Sequence, residues 1–314
     1  MVLRSSPRVF ALVTLALVLL AISIVAYAAV SLNQGPRNVS DEMPEPRYEL
    51  PIIVIDPDKA NVKVSLEEAV EAVSRIWDVP KSTPSAKVVV DKIEGRTYWI
   101  LGWVEGGGYV HAEVDAETGQ VVLLRDFRYK ARVDNLKSHA RAVEIASKLL
   151  EKLGVPAHLL APEPFVRIKR EPAAGLVQEI TYEVEWRQVY KGLQVVGGYV
   201  IVAVDPENQR PVGFVVKLLD VEGIPVEPKI ARDSAVAIAA EFLKSKGYSI
   251  GEVVKVELCI RRPNYYWEGR PMAQGPPSLL WVVVFKKPYS SSGTIEVWVD
   301  ARSGLVVGGD QTRC

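Results

Sequence analysis

Histidine and cysteine, the side chains most typical of metal sites and nucleophilic catalysis, are few and widely separated in this 314-residue chain. The histidines are His111, His139 and His158, and no two of them have the spacing of paired metal ligands. The sequence pairs no nucleophile or acid with a base that would activate it. We therefore expect no catalytic residue, no metal site and no small-molecule cofactor, and we expect the protein not to be an enzyme.

The cysteines, Cys259 and Cys314, could form a disulfide or remain two unrelated thiols. Two cysteines do not supply the paired clusters of a zinc site. Disulfides persist outside the cytoplasm, and the N-terminal residues predict that location. We therefore favour a disulfide between them.

Glycines and acidic residues form patterns that could suggest ligand binding. Gly106-Gly107-Gly108 joins two strand-like runs and does not open a helix, which favours a hairpin turn over a phosphate-binding loop. Asp115 and Glu117 offer oxygen atoms, but the segment lacks the further ligands of a calcium-binding EF-hand loop. An aspartate that begins a turn is explained by its own hydrogen bonds to the backbone.

One long loop, residues 261–272, is the candidate surface for binding a partner protein. Proline and glycine interrupt it, and it is rich in the aromatic and arginine side chains that are enriched at protein interfaces. The alternative, which we favour, is that its aromatic side chains fold back over their own sheet. The candidate contact residues are Arg262, Tyr265, Tyr266, Trp267 and Arg270.

Three stretches have the apolar spacing of amphipathic helices, and runs typical of strands follow each one. The first helix begins at Ser65, where Glu68 predicts a capping box, and extends to Trp77. The second begins near Ser138 and the third near Ala231. The predicted strands are Thr97–Val104, Tyr109–Val114, Val121–Leu124, Glu179–Gln188, Leu193–Asp205, Val212–Leu218, Val253–Ile260, Leu279–Lys286, Thr294–Asp300 and Leu305–Val307.

Two dipeptides recur in the same order in the three stretches. An Ala-Val pair lies early in each helix and a Val-Asp pair ends each hairpin, which predicts three related units. We expect an α+β fold in which each unit is one helix packed on its own antiparallel sheet. The predicted boundaries are 60–130, 131–222 and 223–314, and the repeated pairs are Ala69-Val70, Ala142-Val143, Ala235-Val236, Val114-Asp115, Val204-Asp205 and Val299-Asp300.

The strands and turns that follow the first and third helices resemble a known family. Tyr98-Trp99-Ile100 followed by the stretch from Tyr109 to Val121 resembles the PepSY domain, and the segments 281–284 and 295–306 resemble it again. The middle unit, with residues 189–200, is similar to the propeptide domain of thermolysin-like metalloproteases. The middle unit departs from the family at Asp205-Pro206-Glu207-Asn208, where the turn glycine is missing and Asn208 is expected to take the left-handed conformation.

The first thirty residues predict where the chain resides. Arg4 and Arg8 precede an uncharged run, residues 9–30, that is long enough to span a lipid bilayer as a helix. We favour an uncleaved anchor for residues 1–31, and the alternative is a signal peptide cleaved near Ala28. Either one places the rest outside the cytoplasm, as a single-pass membrane protein or a secreted one. Residues 32–59 are predicted to be a linker, and Asn38 begins a glycosylation sequon.

The charge balance and the family resemblance together limit the function. Lys plus Arg and Asp plus Glu each number 38, so no net field attracts nucleic acid. The resemblance implies an extracellular binding protein that inhibits a peptidase or acts as its chaperone. The alternative is a structural or assembly component of the cell envelope. A protein partner in the envelope is expected in both cases.

Overall fold

Three helices lie against one sheet in the part of the chain that the computed structural model describes, residues 52–56, 62–92, 95–136, 138–172, 178–268, 275–288 and 293–311. The helices are α1 (Leu66–Ile76), α2 (His139–Lys152) and α3 (Arg232–Ser245). The strands are β1 (Ile52–Ile55), β2 (Ser85–Asp91), β3 (Arg96–Glu105), β4 (Gly108–Asp115), β5 (Val121–Asp126), β6 (Phe165–Pro172), β7 (Gln178–Tyr190), β8 (Leu193–Asp205), β9 (Arg210–Lys217), β10 (Val253–Arg261), β11 (Ser278–Lys286), β12 (Thr294–Asp300) and β13 (Val306–Gln311).

The predicted membrane segment, residues 9–30, and the sequon at Asn38 lie outside the described residues. Within the described ranges, no helix is both long and apolar enough to cross a bilayer. The predicted linker is interrupted by β1, which pairs with β2 through Ile53 and Val90. The apolar side chains of β1 are largely exposed, so backbone pairing with β2 is what places this strand.

The strands form a single sheet, which corrects the expectation that each unit has its own. From one edge the order is β1-β2-β3-β4-β5-β9-β8-β10-β11-β12-β13, and β7 pairs with both β6 and β8. Neighbours are antiparallel, except that β8 and β10 meet in parallel at Val195 and Ile260. β5 joins β9 through Leu123 and Val215. The reason is that the edge strands of separate sheets would leave backbone groups unpaired, and pairing them with each other satisfies those groups.

The three predicted helices are confirmed, and their starts follow from local sequence. Ser65 and Glu68 form the predicted capping box, because the Ser65 N–H donates to the Glu68 carboxylate and the Glu68 N–H donates to the Ser65 hydroxyl. The Ser138 hydroxyl accepts a hydrogen bond from the Arg141 N–H at the start of α2. Each helix turns small apolar residues toward the sheet, such as Ala69 in α1, with Ala142 and Ala235 in the other two.

An aromatic side chain on a strand is hydrogen-bonded to the segment that precedes each helix. The indole N–H of Trp99 donates to the Val64 carbonyl at 2.8 Å, and that of Trp281 donates to the Ile230 carbonyl at 2.9 Å. In the middle of the chain, the Tyr182 hydroxyl donates to the Asp134 carboxylate at 2.7 Å. These aromatic residues lie at matching register positions, opposite Val114, Val299 and Val204 respectively.

Buried side chains do not divide the fold into three separate cores. The largest cluster contains residues under α1 and α2 together, such as Val73, Leu101, Ile145 and Val202. A separate cluster lies under α3 and includes Leu243. The first two helices therefore share one core, which brings them side by side.

Candidate partner-binding site

The loop that was predicted to contact a partner is attached to the edge strand β13. The Asn264 side chain donates to the Gly309 carbonyl at 2.7 Å and accepts from the Gly309 N–H at 3.0 Å, as a neighbouring strand would. The Tyr266 N–H donates to the same Asn264 side chain. Tyr265, with φ of +48°, is in the left-handed region that most side chains avoid. These bonds fix the loop over the end of the sheet.

Trp267 packs inward against the sheet and α3 and is partly buried. Its indole N–H donates to the Gly308 carbonyl at 2.8 Å, and the rings of Phe242 and Tyr248 contact it edge to face. The Tyr266 ring contacts Trp267 as well, with their centroids 5.0 Å apart. A Cβ atom at position 309 would collide with the Trp267 indole, so only glycine fits beneath it. Trp267 thus joins the loop to α3 and β13, and Tyr265 and Tyr266 remain half-buried beside it.

The arginines of the predicted contact set are placed differently. The Arg262 Nε atom is buried, and no hydrogen-bond partner for it lies among the described residues. Arg270 lies outside the described residues. A role for these residues in binding a partner stays a prediction.

The structure does not support the predicted disulfide. Cys259 is a free thiol that is fully buried, and burial raises its pKa to about 11. It lies opposite Leu280, near the start of β11. Gln311 lies opposite Ile295, which pairs with Phe285 near the opposite end of β11. Cys314 itself is outside the described residues.

The histidines lie in three different places. His111 is within 3.2 Å of the Glu113 carboxylate on the sheet face, His139 contacts the Tyr182 ring at the start of α2, and His158 is in a 3₁₀ turn. No group of three or more His, Cys, Asp or Glu residues in the described ranges is arranged to hold a metal ion.

The three turn aspartates bind their own backbone. The Asp115 carboxylate accepts hydrogen bonds from the N–H groups of Glu117 and Thr118, and Asp205 and Asp300 repeat the pattern. The left-handed residue of the middle turn is Gln209, with φ of +50°, and not Asn208 as predicted. The reason is that Gln209 is four residues after its aspartate, where Gly119 and Gly304 have the same sign of φ in the other turns.

One motif of hydrolases occurs in a setting that does not suit it. Gly247 to Gly251 reads Gly-x-Ser-x-Gly, with Ser249 at its centre. The nucleophile of an α/β-hydrolase lies on a sharp turn from a strand into a helix. Ser249 lies instead on the exposed connection from α3 to β10, the reverse order, so the motif supports no nucleophile here.

A groove that the sequence did not indicate runs along α1 and α2. It consists of two adjoining cavities of about 640 Å³ and about 530 Å³, and both are lined by Trp77, Asp78 and Lys152. Apolar side chains form much of its lining. The apolar lining residues are Val70, Ile76, Trp77, Val79, Pro80, Trp103, Ile145, Leu149 and Pro211.

A buried ion pair fixes the residues beneath the groove. The Asp126 carboxylate, whose side chain has no exposed surface, accepts from the Trp77 indole N–H at 3.0 Å and from the Arg128 guanidinium. Arg128 also donates to the Asp78 carbonyl at 2.6 Å. Burial acts to raise the pKa of Asp126, but hydrogen bonds from Arg128 and Trp77 outweigh it and hold that pKa below its ordinary value. The acidic side chain therefore stays ionised and holds Trp77 and Asp78 in place.

Comparison with known proteins finds a family match to one stretch of the chain. Residues 63–123 match the profile described as PepSY, Peptidase propeptide and YPEB domain. The chain contains a PepSY domain. It comprises α1, β2, β3, β4 and the first residues of β5. It supplies every residue that lines the larger cavity except Lys152, which comes from α2.

A solved structure is also similar to the chain. The Bacillus megaterium YpeB C-terminal domain matches with 14% identity and a TM-score of 0.41, over 80% of this chain and 99% of that chain. No curated protein matches the sequence.

Proposed function

We propose that this protein is a membrane-anchored binding protein that acts outside the cytoplasm and inhibits or assists the folding of an extracellular peptidase. The observation that carries the proposal is the PepSY domain at residues 63–123, since the description of that family includes peptidase propeptides. A propeptide acts by binding a protein, and it needs no catalytic group of its own.

The proposal extends the PepSY architecture to the rest of the described chain as three related units. Recurring contacts support it: a turn aspartate, a break in register where the hairpin ends, and an aromatic side chain bonded to the residue before or near each helix start. The register breaks lie at Glu113/Val114, Ala203/Val204 and Trp298/Val299, which match in position.

The location is part of the proposal and rests on the N-terminal sequence. Residues 9–30 are uncharged and long enough to span a bilayer, and the arginines before them favour an outward orientation for the rest of the chain. A secreted form after signal cleavage remains the alternative, and the mass of the mature protein distinguishes the two.

The test is cross-linking of the full-length chain in intact cells, followed by purification from membranes and identification of the attached proteins. We expect a peptidase among them, and addition of the purified chain should lower its activity or raise its yield on refolding. An envelope complex without a peptidase would support the structural or assembly role instead. The absence of any cross-linked protein would contradict both.

A further inference from the structure

The groove between α1 and α2 carries an excess of positive charge around its apolar lining. Among the residues that the structure describes, Asp78 is the one carboxylate of the lining. Just outside it, Glu144 is paired with Arg141 and Lys148, while Asp126 is paired with Arg128 and lies 3.7 Å from Arg210. The basic residues of the lining are Lys81, Arg141, Lys148, Lys152 and Arg210. Even when all three of these carboxylates are counted against the five basic residues, the described part of the groove is net positive.

Lys152 is the central cation, because it lines both cavities. Its ammonium group donates to the Ile76 carbonyl at 2.8 Å, across the gap between α2 and the end of α1. An ammonium group has three donors, and this bond uses one of them. Its partner here is a neutral carbonyl, so a carboxylate placed in the groove would gain a charge-assisted bond from it.

Hydrogen bonds to the residues beneath the groove hold two residues of the lining between the cations. Trp77 is held by its bond to Asp126, and Asp78 is held by the Arg128 bond to its carbonyl. Ile145 and Leu149 of α2 face the same groove from the other side. A site whose lining is fixed before binding loses less conformational entropy when the ligand arrives.

We infer that this groove binds an acidic peptide segment of a partner protein. The carboxylates of the peptide contact Lys81, Lys152 and Arg210, and its apolar side chains lie between α1 and α2. The inference rests on the proposed function in that the partner is a protein. A groove between two helices accommodates a peptide that alternates charged and apolar contacts. A bilayer surface, although also anionic, is flat and would reach only the rim.

The test measures binding of a fluorescein-labelled peptide of alternating glutamate and leucine to the full-length chain in detergent, by fluorescence anisotropy. The matching peptide of lysine and leucine is the negative probe. The test variant combines Lys81→Glu and Lys152→Glu, and the control variant combines Lys229→Glu and Lys244→Glu. The control residues are exposed and distant in sequence, and they change the net charge equally.

We expect the test variant to bind the acidic peptide at least about 10-fold more weakly, because each substitution removes an attractive ion pair and replaces it with a repulsive pair of like charges. The control variant should bind within about twofold of the native chain, and salt should weaken binding. Lys152→Gln, which keeps a donor for the Ile76 carbonyl, should show a smaller loss and exclude a structural defect. Equal binding by the test variant, or no binding by the native chain, would overturn the inference.

A membrane surface as the ligand is tested with vesicles of phosphatidylglycerol. Vesicle binding that the test variant loses, without binding of the acidic peptide, would overturn the inference in favour of lipid. The cross-linking experiment separates this inference from the proposed function. If the test variant still captures the native partner at the same yield, the proposed function stands and the acidic peptide is not the ligand of the groove.

Discussion

In the first and second helix-and-strand segments, different side chains bond the chain that leaves the last strand to the hairpin before it. Where β3 and β4 meet, Glu105 and Asp126 hold Arg128, which crosses over Gly108. We call Glu105, Asp126 and Arg128 the charged clamp. A Cβ atom at position 108 would collide with the Arg128 backbone, so the crossing requires glycine there.

In the second segment a neutral side chain occupies the equivalent place. Gln188, which corresponds in register to Glu105, donates to the Leu219 carbonyl at 2.8 Å and accepts from the Leu219 N–H at 2.9 Å. We call Gln188 and Leu219 the amide clamp. Gly198 corresponds to Gly108, and a Cβ atom there would collide with the Gln188 side chain.

The comparison shows that the same connection can be made by an ion pair or by an amide, and that only the ion pair is sensitive to pH. In each case the chain that leaves the last strand must be fastened to the hairpin. Asp126 is ionised, so the charged clamp depends on pH, whereas an amide that copies a neighbouring strand does not titrate. The charged clamp also lies under the groove, where it fixes Trp77 and Asp78.

The largest effect is expected when the charged clamp loses its buried carboxylate. Asp126→Ala leaves the Arg128 guanidinium and the Trp77 indole N–H without their acceptor. Breaking a buried ion pair from one side costs about 3–5 kcal/mol, and we expect that decrease in the free energy of unfolding. Urea unfolding measures it, with the exposed Val104→Ala as a control in the same strand pair. A decrease below about 1 kcal/mol would contradict the assigned role of Asp126.

The amide clamp should be the next most sensitive. Gln188→Leu leaves the N–H and carbonyl of Leu219 unpaired in the interior, and each unpaired group costs about 1–3 kcal/mol. Two such groups sum to about 2–6 kcal/mol, and we expect a total loss of about 2–4 kcal/mol in the free energy of unfolding, because burial of the leucine side chain at this position offsets part of the sum. Gln120→Leu on an exposed turn is the matched control and should change it by less than about 0.5 kcal/mol. If the two variants are equally stable, the bonds to Leu219 do not stabilise the fold.

Variants of the two clamps should differ from the native chain in opposite ways when stability is followed as the pH falls. The pKa of Asp126 is below its ordinary value of about 3.9 in the folded state, so its contribution is full above that pH and is lost as the pH falls through the lowered pKa. Asp126→Asn should therefore lose less stability than the native chain between about pH 5 and about pH 2.

Gln188→Glu should behave in the reverse manner. The introduced carboxyl would face the Leu219 carbonyl in a buried site, so its pKa would be raised and its protonated form favoured. We expect this variant to be least stable near neutral pH and to approach the native chain as the pH falls. Urea unfolding across this pH range measures both variants, and parallel curves for the two would refute the distinction.

The smallest effect is expected at the exposed end of the charged clamp. Glu105 is 56% exposed and lies 3.2 Å from the Arg128 guanidinium. Exposed ion pairs contribute about 0.2–1 kcal/mol, so Glu105→Gln should lower the free energy of unfolding by no more than that, and less in high salt. Unfolding at two salt concentrations checks it. A loss near that of Asp126→Ala would show that the clamp depends on Glu105 and not on the buried carboxylate.

Local features of the fold were predictable because a few adjacent residues determine them. Ser65 and Glu68 identify the start of α1, and the Val-Asp pairs identify the turns whose carboxylates cap their own backbone. β1, β2 and β6 were missed. β2 and β6 contain charged residues and obtain their stability from the strands beside them.

Long-range pairings had no sequence signal at all. The junctions between β5 and β9 and between β8 and β10 join segments far apart in the chain, and no periodicity encodes which edges meet. The same is true of the groove. Trp77 follows the end of α1, whereas Lys152 is on α2 and Arg210 is on β9, and none of the three was singled out as a binding residue.

The sequence alone determined the three helices, the aspartate turns and the PepSY resemblance, because each depends on side chains and backbone groups a few residues apart. Only the tertiary structure decided that the strands join in one sheet, that Cys259 is a buried thiol, and that α1 and α2 border an open cationic groove. These depend on which surfaces pack against each other, and that choice is a balance of burial and backbone pairing over the whole described chain.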